Sequence, residues 1–156
     1  MDEENSVLDP MLGALLRQPF QAITARVLAD LHACGYGDLR PSHLTVFQHL
    51  PAGGGRPTEL AERAQMTKQS MGALVDQLVT AGYIERAADP RDGRARVLRR
   101  TERGWAVERS ARASIGALEA EWAMALGAER LAQCRAFLSD LSELLDGEAS
   151  DAGPRR

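Results

Sequence analysis

Nowhere in these 156 residues do about 18 apolar residues run together, so a membrane-spanning helix is excluded. The start, Met1 to Asp9, carries Asp2, Glu3 and Glu4 in place of the positive, then apolar, opening of a secretory signal. The expected location is therefore the cytoplasm. Cysteine is scarce too. Cys34 and Cys134 stand far apart, which excludes a disulfide framework and any cysteine metal spacing. The plain expectation is two small buried apolar residues in a reduced compartment. A thiol-based redox-responsive regulator is the alternative, but no Lys, Arg or His run surrounds either thiol to favour the thiolate. Aromatics make up 4% of the chain against 44% hydrophobic residues, so aliphatic side chains must fill the interior.

The marks of catalysis are also missing. His32, His43 and His49 are too scattered for a metal site. The glycines at 35 and 37, and the run Gly53-Gly54-Gly55, lack the flanking residues of a phosphate-binding loop and read as connectors. No Ser-His-Asp or Cys-His arrangement stands out, so neither an enzyme nor a cofactor is expected. The net charge of −3 argues against nucleic-acid binding by the whole surface, though not by a local basic patch.

What is present is helical periodicity. Leu12, Leu15 or Leu16, Phe20, Ile23, Val27 and Leu31 recur at steps of three and four, with Pro19 expected to kink this helix or occupy its first turn. A second helix is expected over Pro41 to Leu50. A short third runs from Glu59 to Ala64 with Thr58 as its cap, and a fourth from Lys68 to Thr80 lies between Thr67 and the stop at Gly82. Residues 83–86 and 95–99 read as strands around the turn Asp89-Pro90-Arg91-Asp92-Gly93. A long helix follows Thr101, with Ala111, Ile115, Leu118, Trp122 and Leu126 on one stripe. After Gly127 a last helix carries Leu131, Cys134, Leu138, Leu141 and Leu145. Residues 1–9 and 147–156 are expected to be flexible or disordered.

The segment from Thr58 to Arg100 orders a short helix, a tight turn, a helix and a hairpin. On the fourth helix Met71, Leu74, Val75 and Leu78 should pack inward. The opposite side is small and polar: Gln69, Ala73, Asp76 and Thr80, flanked by Ser70, Gly72 and Gln77. Gln can pair with adenine, Ser and Thr can meet base edges or phosphates, and Ala or Thr methyls can touch thymine. Asp76 suits DNA poorly and could accept from cytosine or hold a nearby Arg. Gly72 is costly inside a helix unless something must approach closely. From Arg86 to Arg103 seven arginines (86, 91, 94, 96, 99, 100, 103) face Asp89, Asp92 and Glu102, a local +4 that leaves −7 elsewhere. Arginine at a hairpin tip suits the narrow, strongly negative minor groove.

Residues Thr58 to Trp105 resemble the DNA-binding core of the MarR family of winged helix-turn-helix transcriptional regulators. The likeness is carried by Thr58-Glu59-Leu60-Ala61, Met66-Thr67-Lys68-Gln69-Ser70, Leu74-Val75-Asp76-Gln77-Leu78, Gly82-Tyr83-Ile84-Glu85-Arg86, Asp89-Pro90-Arg91-Asp92-Gly93-Arg94 and Thr101-Glu102-Arg103-Gly104. The resemblance implies a mainly α fold with a small β-hairpin wing over residues 10–146. A DNA-binding lobe would span about 41–100, and dimerisation helices about 11–35 and 101–146. It implies a homodimer on near-palindromic double-stranded DNA, with Phe20, Ile23, Leu118, Trp122, Leu138, Leu141 and Leu145 at the dimer interface. DNA contacts would come from Thr67, Lys68, Gln69, Ser70, Gly72, Ala73, Gln77, Arg91, Arg94 and Arg96, with Arg94 in the minor groove. It further implies a pocket for a small anionic or aromatic effector near His32, Tyr36, His43, Phe47 and Trp105. Arg100 departs from the family, which usually has an apolar residue there; altered packing at the wing's base or a phosphate contact would follow. A winged-helix module that binds protein instead of DNA is the remaining alternative, disfavoured by the intact wing arginines.

Overall fold

The computed structural model describes residues 11–89 and 96–151. In chain order the elements are α1 (Leu12–Ala33), α2 (Pro41–His49), α3 (Pro57–Arg63), α4 (Lys68–Thr80), β1 (Ile84–Ala88), β2 (Arg96–Arg100), α5 (Glu102–Leu126) and α6 (Ala128–Asp151). The fold is thus mainly helical with one antiparallel hairpin, as expected. No helix among the described residues is long and apolar enough to cross a membrane. The chain divides into two compact units, residues 1–115 and 116–156. The division falls inside α5, not at its start. The physical reason is that Val107, Ala111 and Ile115, on the first half of α5, belong to the core of the first unit.

That core is aliphatic apart from Phe47 and Tyr83, as the low aromatic content requires. Val27 and Leu31 enter it from α1, Val46 and Phe47 from α2, Leu60 from α3, and Met71, Val75 and Leu78 from α4. The hairpin adds Ile84 and Leu98. Ser114 of α5 donates to Asp30 of α1 at 2.5 Å, and this bond, ahead of Arg26, holds the Asp30 carboxyl below its ordinary range. The apolar stripe expected along α1 is buried only in its second half. Met11, Leu12, Leu15, Leu16 and Phe20 stand exposed, Phe20 at 56%.

In the second unit Gly127 (φ +100°) separates the end of α5 from α6. Arg135 Nη2 reaches Glu119 Oε2 at 2.5 Å across the two helices. Met124, Phe137, Leu144 and Leu145 are exposed there, whereas Leu118 is buried.

Several local expectations need correction. α1 begins at Leu12 and runs through Pro19, so of the two expectations for this proline only the first-turn one falls. α3 starts at Pro57 instead of after Thr58. Proline has no N–H to leave unsatisfied at a helix's first position, and Glu59 Oε2 accepts from the Arg56 backbone N–H at 3.3 Å. α6 continues to Asp151, past the expected end of order at residue 146. Cys34 and Cys134 are both exposed instead of buried; Cys34 is the residue where α1 ends.

Candidate nucleic-acid interface

α3 and α4 are joined by a turn whose geometry does not depend on glycine. Met66 N–H donates to Ala61 O at 2.9 Å and Gln65 N–H to Glu62 O at 3.1 Å, closing the end of α3. Gln65 takes the left-handed position (φ +51°) that glycine usually fills. Thr67 then caps α4. Its Oγ1 accepts from Ser70 N–H at 3.1 Å and its hydroxyl donates to Ser70 Oγ at 2.8 Å. At the far end Gly82 (φ +75°) lets Tyr83 N–H return to Leu78 O at 2.9 Å, which turns the chain directly into β1.

The helix so bounded presents the faces expected of it. Met71, Val75 and Leu78 are fully buried and Leu74 is half-buried. Thr67, Lys68, Gln69, Ser70, Ala73, Asp76 and Thr80 are exposed. Gly72 is half-buried, and a methyl group built on it would meet nothing within 4 Å. Two residues on this face already have partners. Asp76 Oδ1 accepts from Arg86 Nη2 at 2.6 Å, so it holds a neighbouring arginine. Gln77 Oε1 lies 2.8 Å from Nε2 of the buried His43. His43 Nδ1 accepts from the Arg40 backbone N–H at 3.2 Å, which leaves Nε2 as the ring's donor toward Gln77. α4 is thereby tied to the start of α2.

The wing is a β1–β2 ladder running from Ile84↔Arg100 to Ala88↔Arg96. Gly55 adds a bridge to Leu98, with N–H···O distances of 3.1 and 2.9 Å. Beside it Arg56 Nη2 donates to the buried carboxylate of Asp89 at 2.8 Å. Asp89 therefore anchors the wing's outgoing strand to the start of α3. Arg96 and Arg99 are exposed and make no ion pair among the described residues. Arg91 and Arg94, the expected tip residues, lie outside the described residues.

The arginine count overstates the exposed basic charge. Arg86 is held by Asp76. Arg103 donates to Tyr83 Oη at 2.9 Å and lies 4.4 Å above its ring. The Tyr83 hydroxyl donates in turn to Asp38 Oδ1 at 2.5 Å. Burial, then the Asp38 carboxylate, pushes the Tyr83 hydroxyl above its ordinary pKa, and the Tyr83 bond holds Asp38 below the carboxylate range. Arg100 is buried, so the phosphate contact considered for it does not occur; its effect is on packing at the wing's base. The signal for this was in the sequence. Alternation along a strand sends residue 100 to the same inward side as Leu98.

The five residues expected around an effector each have a packing or hydrogen-bond role of their own among the described residues. His43, but none of the other four, borders an open groove of about 550 Å³ shared with Asp38, Arg40, Asp76, Gln77, Thr80 and Tyr83. His32 Nε2 bonds Leu39 O at 2.8 Å and closes the α1–α2 turn. Tyr36 and Phe47 pack edge-on against Tyr83, with ring centroids 6.2 and 6.3 Å away. Trp105 lies under the Arg100 guanidinium at 4.9 Å. Among the described residues, no cluster of His, Cys, Asp and Glu could hold a metal.

Comparison with known proteins agrees with this architecture. The family model described as MarR family matches residues 37–95, which span α2 to the wing. None of the curated proteins matches the sequence. Among solved structures, the reduced form of MarR from E. coli superposes with a TM-score of 0.70 at 21% identity, over 85% of this chain and 97% of that one. A transcriptional regulator from Thermotoga maritima gives 0.61 at 24% identity, covering 88% and 96%. The transcriptional repressor CouR, bound to a 23-mer DNA duplex, gives 0.65 at 20% identity, covering 91% and 99%. Residues 37–95 thus match the family's model, and over most of its length the chain has the winged helix-turn-helix fold of solved MarR-family regulators.

Proposed function

We propose that the protein is a transcriptional regulator that binds double-stranded DNA sequence-specifically as a homodimer, and that it acts as a repressor by occupying its operator. The observation that carries this reading is the exposed polar face of α4 beside a wing whose Arg96 and Arg99 project into solvent. Thr67, Lys68, Gln69, Ser70, Gly72 and Ala73 would enter the major groove. Gln77 is oriented by His43, and its amide N–H2 is the part that can meet a base. Arg91, Arg94 and Arg96 would follow the wing into the minor groove. CouR, a repressor held on a duplex, is a structural relative consistent with this use of the fold. A gel shift with the region upstream of its own gene tests it; absence of any shifted duplex argues for a protein-binding module instead.

Gly72 offers a second test with opposed signs. Among the described residues no neighbour explains a glycine in the middle of α4. Alanine there should stabilise the fold by about 0.5–1 kcal/mol. If the glycine exists because DNA passes close by, Gly72→Ala should at the same time weaken duplex binding several-fold. A variant that is more stable and binds as well as the wild type places the groove elsewhere.

Dimerisation is supported by the exposed side chains of Leu12, Leu15, Leu16 and Phe20 along α1, a stripe of apolar surface that monomers seldom leave in water. Phe20 is exposed in the protomer, so Phe20→Asp should leave each chain folded yet dissociate the dimer. Light scattering that still reports two chains would remove α1 from the interface. A small anionic or aromatic effector would act by preferring a dimer with altered spacing, lowering DNA affinity by its differential affinity for the two states.

A further inference from the structure

We propose that Arg100 is the positioning residue of the wing: buried under the hairpin, it locks β2 to the end of α2 and to α5, so DNA affinity depends on a side chain that never meets the duplex. This rests on the DNA-binding reading above.

The placement begins with strand alternation. Leu98 and Arg100 share the inward side of β2, and Ile84, directly opposite Arg100, is also buried. The Arg100 side chain is 4% exposed. Its Nη2 donates to Phe47 O and Leu50 O, each at 2.8 Å, and its Nη1 to Pro51 O at 3.0 Å. The last carbonyls of a helix have no N–H of their own and carry the negative end of its dipole. A planar guanidinium reaches the Phe47 and Leu50 carbonyls and the next one, Pro51 O, from two nitrogens held in a fixed fork, a geometry that lysine's single flexible ammonium lacks and an apolar residue cannot supply.

The charge is balanced from α5. Arg100 Nε lies 2.8 Å from Glu108 Oε2, but no hydrogen bond is aligned there, so this contact compensates charge without satisfying the N–H. The other carboxylate oxygen, Glu108 Oε1, accepts from Arg112 Nη2 at 2.8 Å. Trp105 covers the guanidinium face. Burying a charge is costly, and an apolar side chain would fill this position without that cost. What the guanidinium adds is a fixed geometry. Arg100 grips Pro51, while Leu98, two residues back, grips Gly55, so loop 51–55 is clasped to β2 at both ends. Arg56, the next residue, holds Asp89 at the end of β1. The direction in which the hairpin leaves the body is set by these three attachments, and Arg100 makes the one that joins α2, β2 and α5.

The test compares wild type, Arg100→Met, Arg100→Lys and the double variant Arg100→Met with Glu108→Gln for affinity to one duplex by fluorescence anisotropy. Each is measured well below its own melting temperature, with the fold confirmed by circular dichroism. Arg100→Met should remain folded and bind about 3- to 30-fold more weakly, the range for residues that modulate a site without touching its ligand. Its salt dependence should match the wild type, because no phosphate contact is lost. Arg100→Lys should fall between the two, and adding Glu108→Gln to Arg100→Met should cost nothing more. If Arg100→Met does not fold, the intermediate affinity of Arg100→Lys carries the same inference. Wild-type affinity in a folded Arg100→Met or Arg100→Lys would overturn the proposal, leaving Arg100 a stability residue. A salt slope reduced by one or more would overturn it in favour of direct phosphate contact. A wild-type protein that binds no duplex removes both readings, and does so before any variant is compared.

Discussion

Raising the salt from about 50 to 200 mM should lower the affinity of the proposed dimer for its duplex by about 10³- to 10⁵-fold, through release of counterions from six to ten neutralised phosphates. The size of this effect follows from which cations the fold leaves facing outward. Lys68, Arg96 and Arg99 are exposed and without ion pairs among the described residues. With the proposed tip residues Arg91 and Arg94 they supply five cations per subunit. Arg86, Arg100 and Arg103 are excluded, because Asp76, the α2 carbonyls with Glu108, and Tyr83 hold them. A dimer with ten cations has a slope of log affinity against log salt near roughly −9, whereas using all seven arginines of the segment and Lys68 would bring it to roughly −14. Arg94→Ala, which removes one cation from each subunit, should make the slope shallower by about two. A flat dependence in the wild type would contradict phosphate contacts altogether.

The second large effect concerns stability. Gly104→Ala should destabilise the fold by about 3 kcal/mol, the upper part of the range for overpacking a filled interior. The added carbon would stand 2.1 Å from the Tyr83 carbonyl oxygen, a backbone atom, and 3.3 Å from Arg100 Cβ. Neither neighbour can turn aside cheaply. Thr101 already fixes this junction, with its N–H on Tyr83 O at 3.1 Å and its hydroxyl on Gly82 O at 2.7 Å. The melting temperature should fall by roughly 10 °C. Thermal and urea melts that match the wild type would show that the first turn of α5 does not pass so close to β1. Since Gly72→Ala should shift the same melts upward, the two glycines make a paired control.

Local signals account for most of what the sequence revealed. α4 was legible to the residue because Thr67 and Gly82 mark its ends and Met71, Val75 and Leu78 recur at helical spacing. The hairpin was legible from its alternation and its turn residues, with strand ends one or two residues beyond the expected bounds. What stayed hidden depends on partners distant in sequence. Gln77 reads as an unrestrained side chain until His43, 34 positions earlier, is found against its Oε1. Arg103 reads as basic surface until Tyr83 and Asp38 are brought beside it. Tyr36, Phe47 and Trp105 suggest a pocket by residue type, yet the rings of the first two complete the core around Tyr83 and the third stacks on Arg100. The apolar stripe of α1 was identified correctly as a stripe. Only burial distinguishes its core half, ending in Val27 and Leu31, from the exposed half proposed to meet a second chain.

The most direct test is selection of genomic fragments by the purified protein, followed by footprinting of the duplexes it retains. Two α4 helices about one turn of B-DNA apart should enrich an inverted repeat with half-site centres separated by roughly 34–36 Å, protected by two chains per duplex. No enrichment, or a protected site without two-fold symmetry, would contradict the account.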